Sequence, residues 1–263
     1  MPDDDRCVEF LQWALPRLGL RWAGFRKVRR QVCRRVARRV AALELEGGLH
    51  AYRAYLETHP EEWAVLETLT PVTISRFARD RAIFDTLART VVPVLERAAR
   101  ADGREQLVAW SAGCASGEEA YTLALMWPSM DVLATDVHPA VLERARRAAY
   151  PDSSLRELTP GERAAAFVRR DGEHLVRREH AARVTVAQHD LRDPPPRRPF
   201  DLVLCRNAAF TYFAPEQQRA VLAHMAAALR PGGALVVGLH EALPEPATPF
   251  APWPSTRAVH RRA

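Results

Sequence analysis

The chain of 263 residues is long enough for one large domain, or for one domain with a smaller one beside it. Its 48% apolar and 27% charged residues are typical of a soluble globular protein, and no apolar run approaches the roughly 18 residues of a membrane-spanning helix. The formal net charge is +6, but Lys27 is the only lysine and the arginine bias is typical of GC-rich coding sequence. We therefore do not expect nucleic acid as a partner.

The N-terminus and the cysteines predict a cytoplasmic protein without membrane insertion. The opening MPDDDRCVEF is acidic, whereas a secretory signal is basic and then apolar. The cysteines Cys7, Cys33, Cys114 and Cys205 form no CxxC pair and no zinc-like spacing. We expect reduced, mostly buried thiols and no metal site.

The first 65 residues or so have the pattern of helices. In FRKVRRQVCRRVARRVAAL the apolar residues form one stripe, and eight basic residues at positions 26–39 fill the other face. The glycines at 47–48 end this helix, and two short helices broken at Pro60 follow. The basic face either steers an acidic polypeptide or is an ordinary solvated face.

Beyond a turn at Thr70-Pro71 and a helix predicted from about Ser75, strands and helices alternate. Strands are predicted at 106–110, 131–136, 182–191, 200–207 and 234–239, helices at 118–127, 139–150 and 214–230, and a final antiparallel strand in TRAVHRR. Repeated strand–helix units predict an α/β fold with a doubly wound, mostly parallel sheet. The interruption at 151–181 predicts a short β-hairpin that turns at Asp171-Gly172.

Three strand ends carry residues that suit a ligand, because open α/β sheets bind ligands at the carboxyl ends of their strands. The loop AGCASGEE has Gly113 and Gly117, which permit close approach, and then Glu118, whose charge suits an ammonium group. Asp136 falls about 20 residues later, where an acid binds ribose hydroxyls. Asp190 can accept from an adenine amino group. The alternatives are a plain tight turn, an N-cap for the next helix and a solvated loop acid, respectively.

These residues together describe a ligand with an adenine, a ribose and an amino-acid tail but no phosphate. S-adenosylmethionine has this composition. NAD fits less well because the GxGxxG fingerprint is missing, and ATP fits poorly because there is no GxxxxGK[ST].

Four ordered blocks, WSAGCASGEEAYTLAL, ATDVHPAVLERAR, FDLVLCRN with a following YF, and LRPGGALVVGLHE, resemble the chemotaxis-receptor methyltransferases of the CheR type. The resemblance covers about residues 20–243. It implies a class I, Rossmann-like methyltransferase domain at 77–263 with the hairpin insertion at about 151–181. It also implies a substrate-facing helical domain at 1–69 and a linker at 70–76. That family uses S-adenosylmethionine, leaving S-adenosylhomocysteine, to methylate glutamate side chains of receptor proteins.

The resemblance also assigns roles to residues. It implies that Arg79, Asn207 and Tyr212 are catalytic. It implies that the cofactor is bound by Thr73, Ser75, Arg79, Gly113, Glu118, Asp136, Asp190, Leu191, Arg206 and Asn207. A carboxylate acceptor is already ionised at neutral pH and needs no general base, which suits the lack of a convincing His/Asp pair. The plainer alternatives are a surface salt bridge of Arg79 with Asp80 or a neighbour, and a buried structural ring at Tyr212.

Three departures from the family pattern leave the acceptor open. Four residues separate Asn207 from Tyr212, where the family has three, so Phe210 can occupy part of the expected space. Thr73 stands where the family commonly has asparagine. The hairpin is short, which predicts that strand pairing with a receptor tail is absent. The expected acceptor is thus an acidic, receptor-like protein, with a small carboxylate or another protein as the alternative. A non-catalytic cofactor-binding or nucleic-acid-binding module is a third hypothesis.

Overall fold

The computed structural model describes residues 4–254 and 256–263; the first three residues of the acidic N-terminus and Ser255 lie outside the described residues. The chain divides into two compact units. The first contains the chain up to Val72 together with Thr211–Gln217, and the second contains Thr73–Phe210 and Gln218–Ala263. The boundary after Val72 falls inside the expected linker. No helix in the described part of the chain is long and apolar enough to cross a membrane.

The first unit is built from helices. They are α1 Asp4–Arg17, α2 Trp22–Phe25, α3 Arg29–Ala42, α4 Leu49–Thr58 and α5 Glu62–Leu69. On α3 the apolar stripe of the sequence is buried at Val32, Val36 and Val40, whereas the arginines between them are partly or fully exposed. Packing of this stripe, rather than helix propensity, stabilises such a short helix.

A disulfide joins Cys7 of α1 to Cys33 of α3. The expectation of reduced thiols is therefore wrong for this pair, because residues 26 positions apart meet in the core of the first unit. No local motif such as CxxC marks this pair in the sequence, because the two sulfurs meet only when α1 packs against α3. Cys114 and Cys205 are free and buried, as expected.

The second unit begins with α6 Arg81–Thr86, a π-helical turn Leu87–Val91 and α7 Val92–Ala101. The next elements are β1 Leu107–Ala112, α8 Glu118–Met126, β2 Met130–Asp136, α9 Pro139–Arg147, β3 Ala149–Tyr150, α10 Pro160–Ala166, β4 Phe167–Arg170, β5 Glu173–Val176, α11 Arg178–Ala181 and β6 Val184–Gln188. The last are β7 Phe200–Leu204, α12 Ala209–Tyr212, α13 Pro215–Ala228, β8 Leu229–Val236, β9 Phe250–Trp253 and β10 Thr256–Arg262.

Seven strands form one sheet in the order β6-β2-β1-β7-β8-β10-β9. The pairings among β6, β2, β1, β7 and β8 are all parallel, and β10 runs antiparallel to β8. The strand order reverses direction between β1 and β7, which is where such sheets open a crevice for a ligand. The predicted α/β fold with a mostly parallel sheet is confirmed.

The helix expected from Ser75 begins only at Arg81. Ala78 and Asp80 have φ angles of 51° and 60°, in the left-handed region, which a right-handed helix cannot contain. The apolar spacing suggested a helix, but the segment forms a turn in which the ring of Phe77 is fully buried.

Several other boundaries differ from the sequence expectation. The helix expected to reach Tyr150 ends at Arg147, because Ala148 is left-handed with φ 49° and the chain then enters β3. The glycines expected only to stop α13 lie inside β8, and β9 was not predicted. The strand expected at 182–191 is β6, which is shorter and contains only Val184–Gln188.

The insertion folds into a three-stranded antiparallel sheet in the order β3-β5-β4. The hairpin of β4 and β5 turns at Asp171-Gly172, where both residues have positive φ, as the sequence predicted. The third strand is contributed by Ala149–Tyr150, which lies before the expected insertion.

Candidate functional site

The loop between β1 and α8 is a tight turn held from the neighbouring strand. The amides of Gly113 and Cys114 both donate to the carbonyl of Thr135 on β2, at 2.8 Å. Gly113 has φ 83°, and a Cβ at this position would lie 3.0 Å from the Cβ of Ala208 beyond β7. Glycine is therefore required here by both the backbone angle and the close approach.

Glu118 is a buried carboxylate at the first turn of α8, 1% exposed. It accepts hydrogen bonds from the hydroxyl of Ser116, at 3.0 and 3.2 Å, and from that of Ser154, at 3.2 Å. Within the described ranges it has no lysine or arginine partner. Because a buried charge is costly unless it is paired, this carboxylate is suited to a cationic ligand group such as an ammonium.

Asp136 ends β2 with both carboxylate oxygens fixed by backbone amides. Ala115 of the glycine loop donates to Oδ2 at 2.9 Å, and His138 donates to Oδ1 at 3.0 Å. His138, not Asp136, is the residue that caps α9, and it makes no side-chain capping bond, so the N-cap alternative is wrong. The carboxylate is oriented by the loop itself and keeps lone pairs that can accept from hydroxyls.

Asp190 and Leu191 follow β6. Burial alone would raise the pKa of Asp190, but hydrogen bonds from the side chain and backbone of Arg192 bring it below its usual range. Asp190 is thus paired with Arg192 in the turn that follows β6. Leu191 is buried, with its Cδ1 4.0 Å from the position of a Cβ on Gly113.

The end of β7 brings two predicted residues to the centre of the sheet edge. The guanidinium of Arg206 is turned inward and donates to Glu119 at 3.0 Å and to Asp80 at 2.7 Å. Asn207 has φ 51°, and its amide donates to the carboxylate of Glu241 at 2.9 Å. That carboxylate also accepts from the amide of Gly238, so it joins the loops that follow β7 and β8.

Arg79 lies in the left-handed turn before α6. Its guanidinium donates to the carbonyl of Ile74 at 2.8 Å, and no described carboxylate pairs with it. The alternative of a salt bridge with Asp80 is wrong, because Asp80 pairs with Arg206. Thr73 and Ser75 are half-buried on the segment just before this turn.

Tyr212 belongs to the first unit, whereas the other predicted site residues belong to the second. Its ring centroid lies 4.9 Å from that of Phe25, and its carbonyl accepts from the amide of Arg21 at 2.8 Å. Its predicted catalytic role remains a prediction.

Neither free thiol is a nucleophile at neutral pH. Burial, together with the charges of Asp136 and Glu119, raises the pKa of Cys114 well above its usual value. Burial also raises the pKa of Cys205 strongly. Since only the thiolate is reactive, the chemistry of this site rests on its carboxylates, arginines and amides.

The site fits a zwitterionic adenosine ligand. Glu118 offers a buried, cation-free carboxylate, Asp136 offers an oriented one, and Gly113 keeps the loop close to the neighbouring backbone. The described loop carries no lysine for a phosphate. These features match the composition inferred for the ligand.

The sequence did not identify four residues that shape this site. Ser154 comes from the insertion, where no local motif marks it. Glu119 follows Glu118 in the AGCASGEE block, and it accepts from Arg206 and from the hydroxyl of Ser111. Glu241 stands in the GLHE block, and Thr122 accepts the amide of Ala78 from one turn inside α8. Each depends on a partner distant in sequence.

Comparison with known proteins gives a consistent result. Residues 73–259 match the family described as CheR methyltransferase, SAM binding domain. A chemotaxis protein methyltransferase of Listeria innocua is 35% identical over 186 residues, which are 68% of this chain and 69% of that protein. An uncharacterized 104.1 kDa protein in the hypE 3' region of Rhodobacter capsulatus is 35% identical over 222 residues, covering 81% of this chain and 23% of that protein. This chain therefore spans less than a quarter of the Rhodobacter relative.

Among solved structures, SAM-bound CalS10, an amino pentose methyltransferase from Micromonospora echinaspora, is 23% identical with a TM-score of 0.34. The match covers 64% of this chain and 58% of that one.

Proposed function

The chain belongs to the CheR family of S-adenosylmethionine-dependent methyltransferases, and we propose that it transfers the methyl group to a side-chain carboxylate of an acidic protein. S-adenosylmethionine supplies, when bound, a methyl group on a sulfonium that a carboxylate oxygen can attack. We assign Glu118 to its ammonium group, Asp136 to the ribose hydroxyls, and Asp190 with Leu191 to the adenine. Thr73, Ser75, Gly113 and Asn207 remain proposed contacts.

We choose a carboxylate as the acceptor because of the guanidinium of Arg79, which is available to bind one. It has no carboxylate partner in the described chain, since the adjacent Asp80 is bound by Arg206. A guanidinium can bind a carboxylate through two parallel hydrogen bonds and so fix its orientation. Methyl transfer is an in-line displacement, so an acceptor held in this way gains most of its rate from positioning.

A protein acceptor is favoured by the basic face of α3 in the first unit. Gln31, Arg34, Arg35 and Arg38 line a surface pocket of about 560 Å³. None of these arginines has a carboxylate partner among the described residues, whereas Arg39 is paired with Glu62. Such an uncompensated cluster attracts an acidic polypeptide, and glutamate-rich segments of a receptor-like protein have that chemistry.

A small carboxylate or a different protein is the second candidate acceptor. It is favoured by the extra residue between Asn207 and Tyr212, and by the complete burial of Phe210 within that segment. We retain as proposals the domain limits 1–69 and 77–263 and a cytoplasmic location.

Arg79→Ala tests the proposed function directly. We expect this variant to bind S-adenosylhomocysteine with unchanged affinity in calorimetry but to lose transfer to an acidic acceptor by at least about a hundredfold, because orientation of the acceptor is lost. Arg89→Ala removes an exposed arginine of the same unit and serves as the control. Full turnover by Arg79→Ala would show that the arginine does not orient the acceptor.

The acceptor itself can be identified with labelled S-adenosylmethionine in a cell extract. A carboxyl methyl ester is labile to base, so label in a protein band that is lost at alkaline pH supports the proposal. Base-stable label would indicate methylation of nitrogen or carbon. Label only in small molecules would favour the second candidate.

A further inference from the structure

The guanidinium of Arg206 has no surface through which to bind a ligand. Its side chain is 3% exposed. One terminal nitrogen donates to Glu119 at 3.0 Å; the other donates both to the carboxylate of Asp80 at 2.7 Å and to the carbonyl of Arg79 at 2.9 Å. The carbon of the guanidinium lies 5.4 Å from the ring centroid of Phe84. Both terminal nitrogens are thus committed to protein groups.

The turn that Arg206 binds has an unfavourable backbone. Ala78 and Asp80, on either side of Arg79, are both left-handed although neither is glycine. Such angles persist only where surrounding contacts hold them. The amide of Ala78 is held by the hydroxyl of Thr122 at 3.0 Å, and Arg206 holds the other end.

Among the described residues, Arg206 is the cation shared by two partly buried carboxylates, Glu119 with a side chain 15% exposed and Asp80 with one 30% exposed. Glu119 and Asp80 both depend on it, and Glu119 also accepts from Ser111 at 2.7 Å. Without the guanidinium, two partly buried carboxylates would lose their shared partner. The carboxylate of Asp80 would then no longer anchor the turn, and the direction of the Arg79 side chain would change.

We propose that Arg206 is a positioning residue that holds the turn at 78–80 so that Arg79 faces the acceptor carboxylate, and that its guanidinium does not itself contact the cofactor. This inference rests on the proposed role of Arg79. It replaces the expectation, drawn from the family motif, that Arg206 is a cofactor ligand.

The first test separates acceptor positioning from cofactor binding. We expect Arg206→Gln to lower kcat/KM for the acceptor by about a hundredfold, the scale of a small misplacement of a catalytic group. The dissociation constant of S-adenosylhomocysteine, measured by calorimetry, should change less than about threefold. Compared with Arg206→Gln, Arg206→Lys keeps the positive charge but lacks the two terminal nitrogens of the guanidinium. We therefore expect it to recover part of the lost rate.

The second test is a double-mutant cycle with Arg79→Lys, which keeps a cation at the acceptor site. If Arg206 acts through Arg79, Arg206→Gln should cost much less in the Arg79→Lys background than in the wild type. Independent, multiplicative losses would overturn the inference. A loss of S-adenosylhomocysteine affinity as large as that of Asp136→Asn would also overturn it, because it would show a cofactor contact.

Asp80→Asn provides a variant that is tolerant of the left-handed turn, since asparagine adopts these angles readily. It keeps the fold testable if Arg206→Gln fails to fold. We expect the same selective loss of kcat/KM with unchanged cofactor affinity, and unchanged turnover would contradict the inference. If Arg79→Ala retains turnover, the proposed role of Arg79 is wrong. If Arg79→Ala is inactive but the losses in the double-mutant cycle are additive, only the proposed role of Arg206 is wrong.

Discussion

A single carboxylate, Asp136, shows how the backbone prepares this site for a ligand. Its two oxygens are fixed by amides of the glycine loop and of the turn before α9. Charge-assisted bonds of this kind orient the group at little further entropy cost on binding. A ligand hydroxyl therefore meets an acceptor that is already in place.

We expect Asp136→Asn to weaken S-adenosylhomocysteine binding by about 1–3 kcal/mol, the range for loss of a hydrogen-bonding partner in a partly buried site. The amide side chain removes the charge and turns one acceptor into a donor that faces a backbone N–H. Isothermal titration calorimetry measures the change.

Asp171→Asn is the matched control for this change, because Asp171 is an exposed residue at the tip of the hairpin in the insertion. It should bind like the wild type. Equal affinities of all three proteins would remove Asp136 from the cofactor site.

Residue types and spacing predicted Asp136 and Glu118 because both follow strand ends in a pattern that is local in sequence. The direction of Arg206 was not predictable in this way. Its partners Asp80 and Glu119 lie 126 and 87 positions away, so only the assembled fold shows that both terminal nitrogens donate to protein groups. The same reason hid Ser154 and Glu241.

At the level of elements, the start of α6 is fastened to the insertion by one carboxylate. Glu162 accepts from Arg81 at the first position of α6 and also closes a capping box with Thr159 at the start of α10. The hydrogen bond from Arg81, followed by those from Thr159, lowers the pKa of Glu162 from 4.5 to about 2 despite partial burial.

This depressed pKa predicts a pH-dependent contribution to stability. A carboxyl whose pKa is lower in the folded protein stabilises the fold above its unfolded value of 4.5 and loses that contribution as pH falls toward 2. We expect Glu162→Gln to be less stable than the wild type at pH 7, by up to about 1 kcal/mol because the pair is partly solvated. The difference should shrink steadily below pH 4.5.

Denaturant unfolding at several pH values measures this difference. Glu143→Gln removes a carboxylate from an exposed pair on α9 and should change stability little at any pH. A constant difference between Glu162→Gln and the wild type from pH 7 to pH 3 would contradict the linkage.

The elements themselves were predictable to different extents. The hairpin of the insertion was found because Asp-Gly between short apolar segments specifies its turn. The segment before Arg81 was mistaken for helix because buried aromatic spacing in a turn resembles that of a helix. The strand β9 was missed because it contains Pro252 and lies within a proline-rich segment, and strands with proline occur at sheet edges, where β9 lies.

At the level of the whole molecule, the distribution of charge separates two tasks. Uncompensated arginines cluster on α3 of the first unit, whereas one buried carboxylate, Glu118, and two partly buried ones, Asp136 and Asp190, follow strands of the second. The first arrangement suits the acidic polypeptide that we propose as acceptor, and the second suits the ammonium and hydroxyl groups of the cofactor.

We expect the double variant Arg34→Gln, Arg38→Gln to lower kcat/KM for an acidic protein acceptor by about tenfold at low salt, because steering toward the basic face is lost. Arg35 is left in place since it donates to the carbonyls of Leu69 and Pro71. The salt dependence of the reaction should also become weaker.

The double variant Arg89→Gln, Arg178→Gln removes the same number of charges from exposed positions of the second unit and should keep its activity. Affinity for S-adenosylhomocysteine should be unchanged in both proteins. If the two double variants behave alike toward the acceptor, the basic face is an ordinary solvated surface.

The fold class was accessible from sequence because alternation of strands and helices leaves few topologies. The joining of residues 211–217 with the N-terminal unit was not accessible, because it depends on pairing between segments such as Arg21 and Tyr212. The bond between Cys7 and Cys33 was hidden for the same reason.

The position of Ser154 has a practical consequence for anyone exchanging this insertion with that of a relative. Its hydroxyl binds Glu118 and its carbonyl accepts the amide of Phe77, so a graft that cuts at residue 151 would remove a wall of the pocket. Phe167 and Val176 are buried, whereas residues 168–175 between them are all partly or fully exposed. The tip of the insertion is thus exposed, and a relative's tip can be exchanged for it without altering Ser154 or its contact with Glu118.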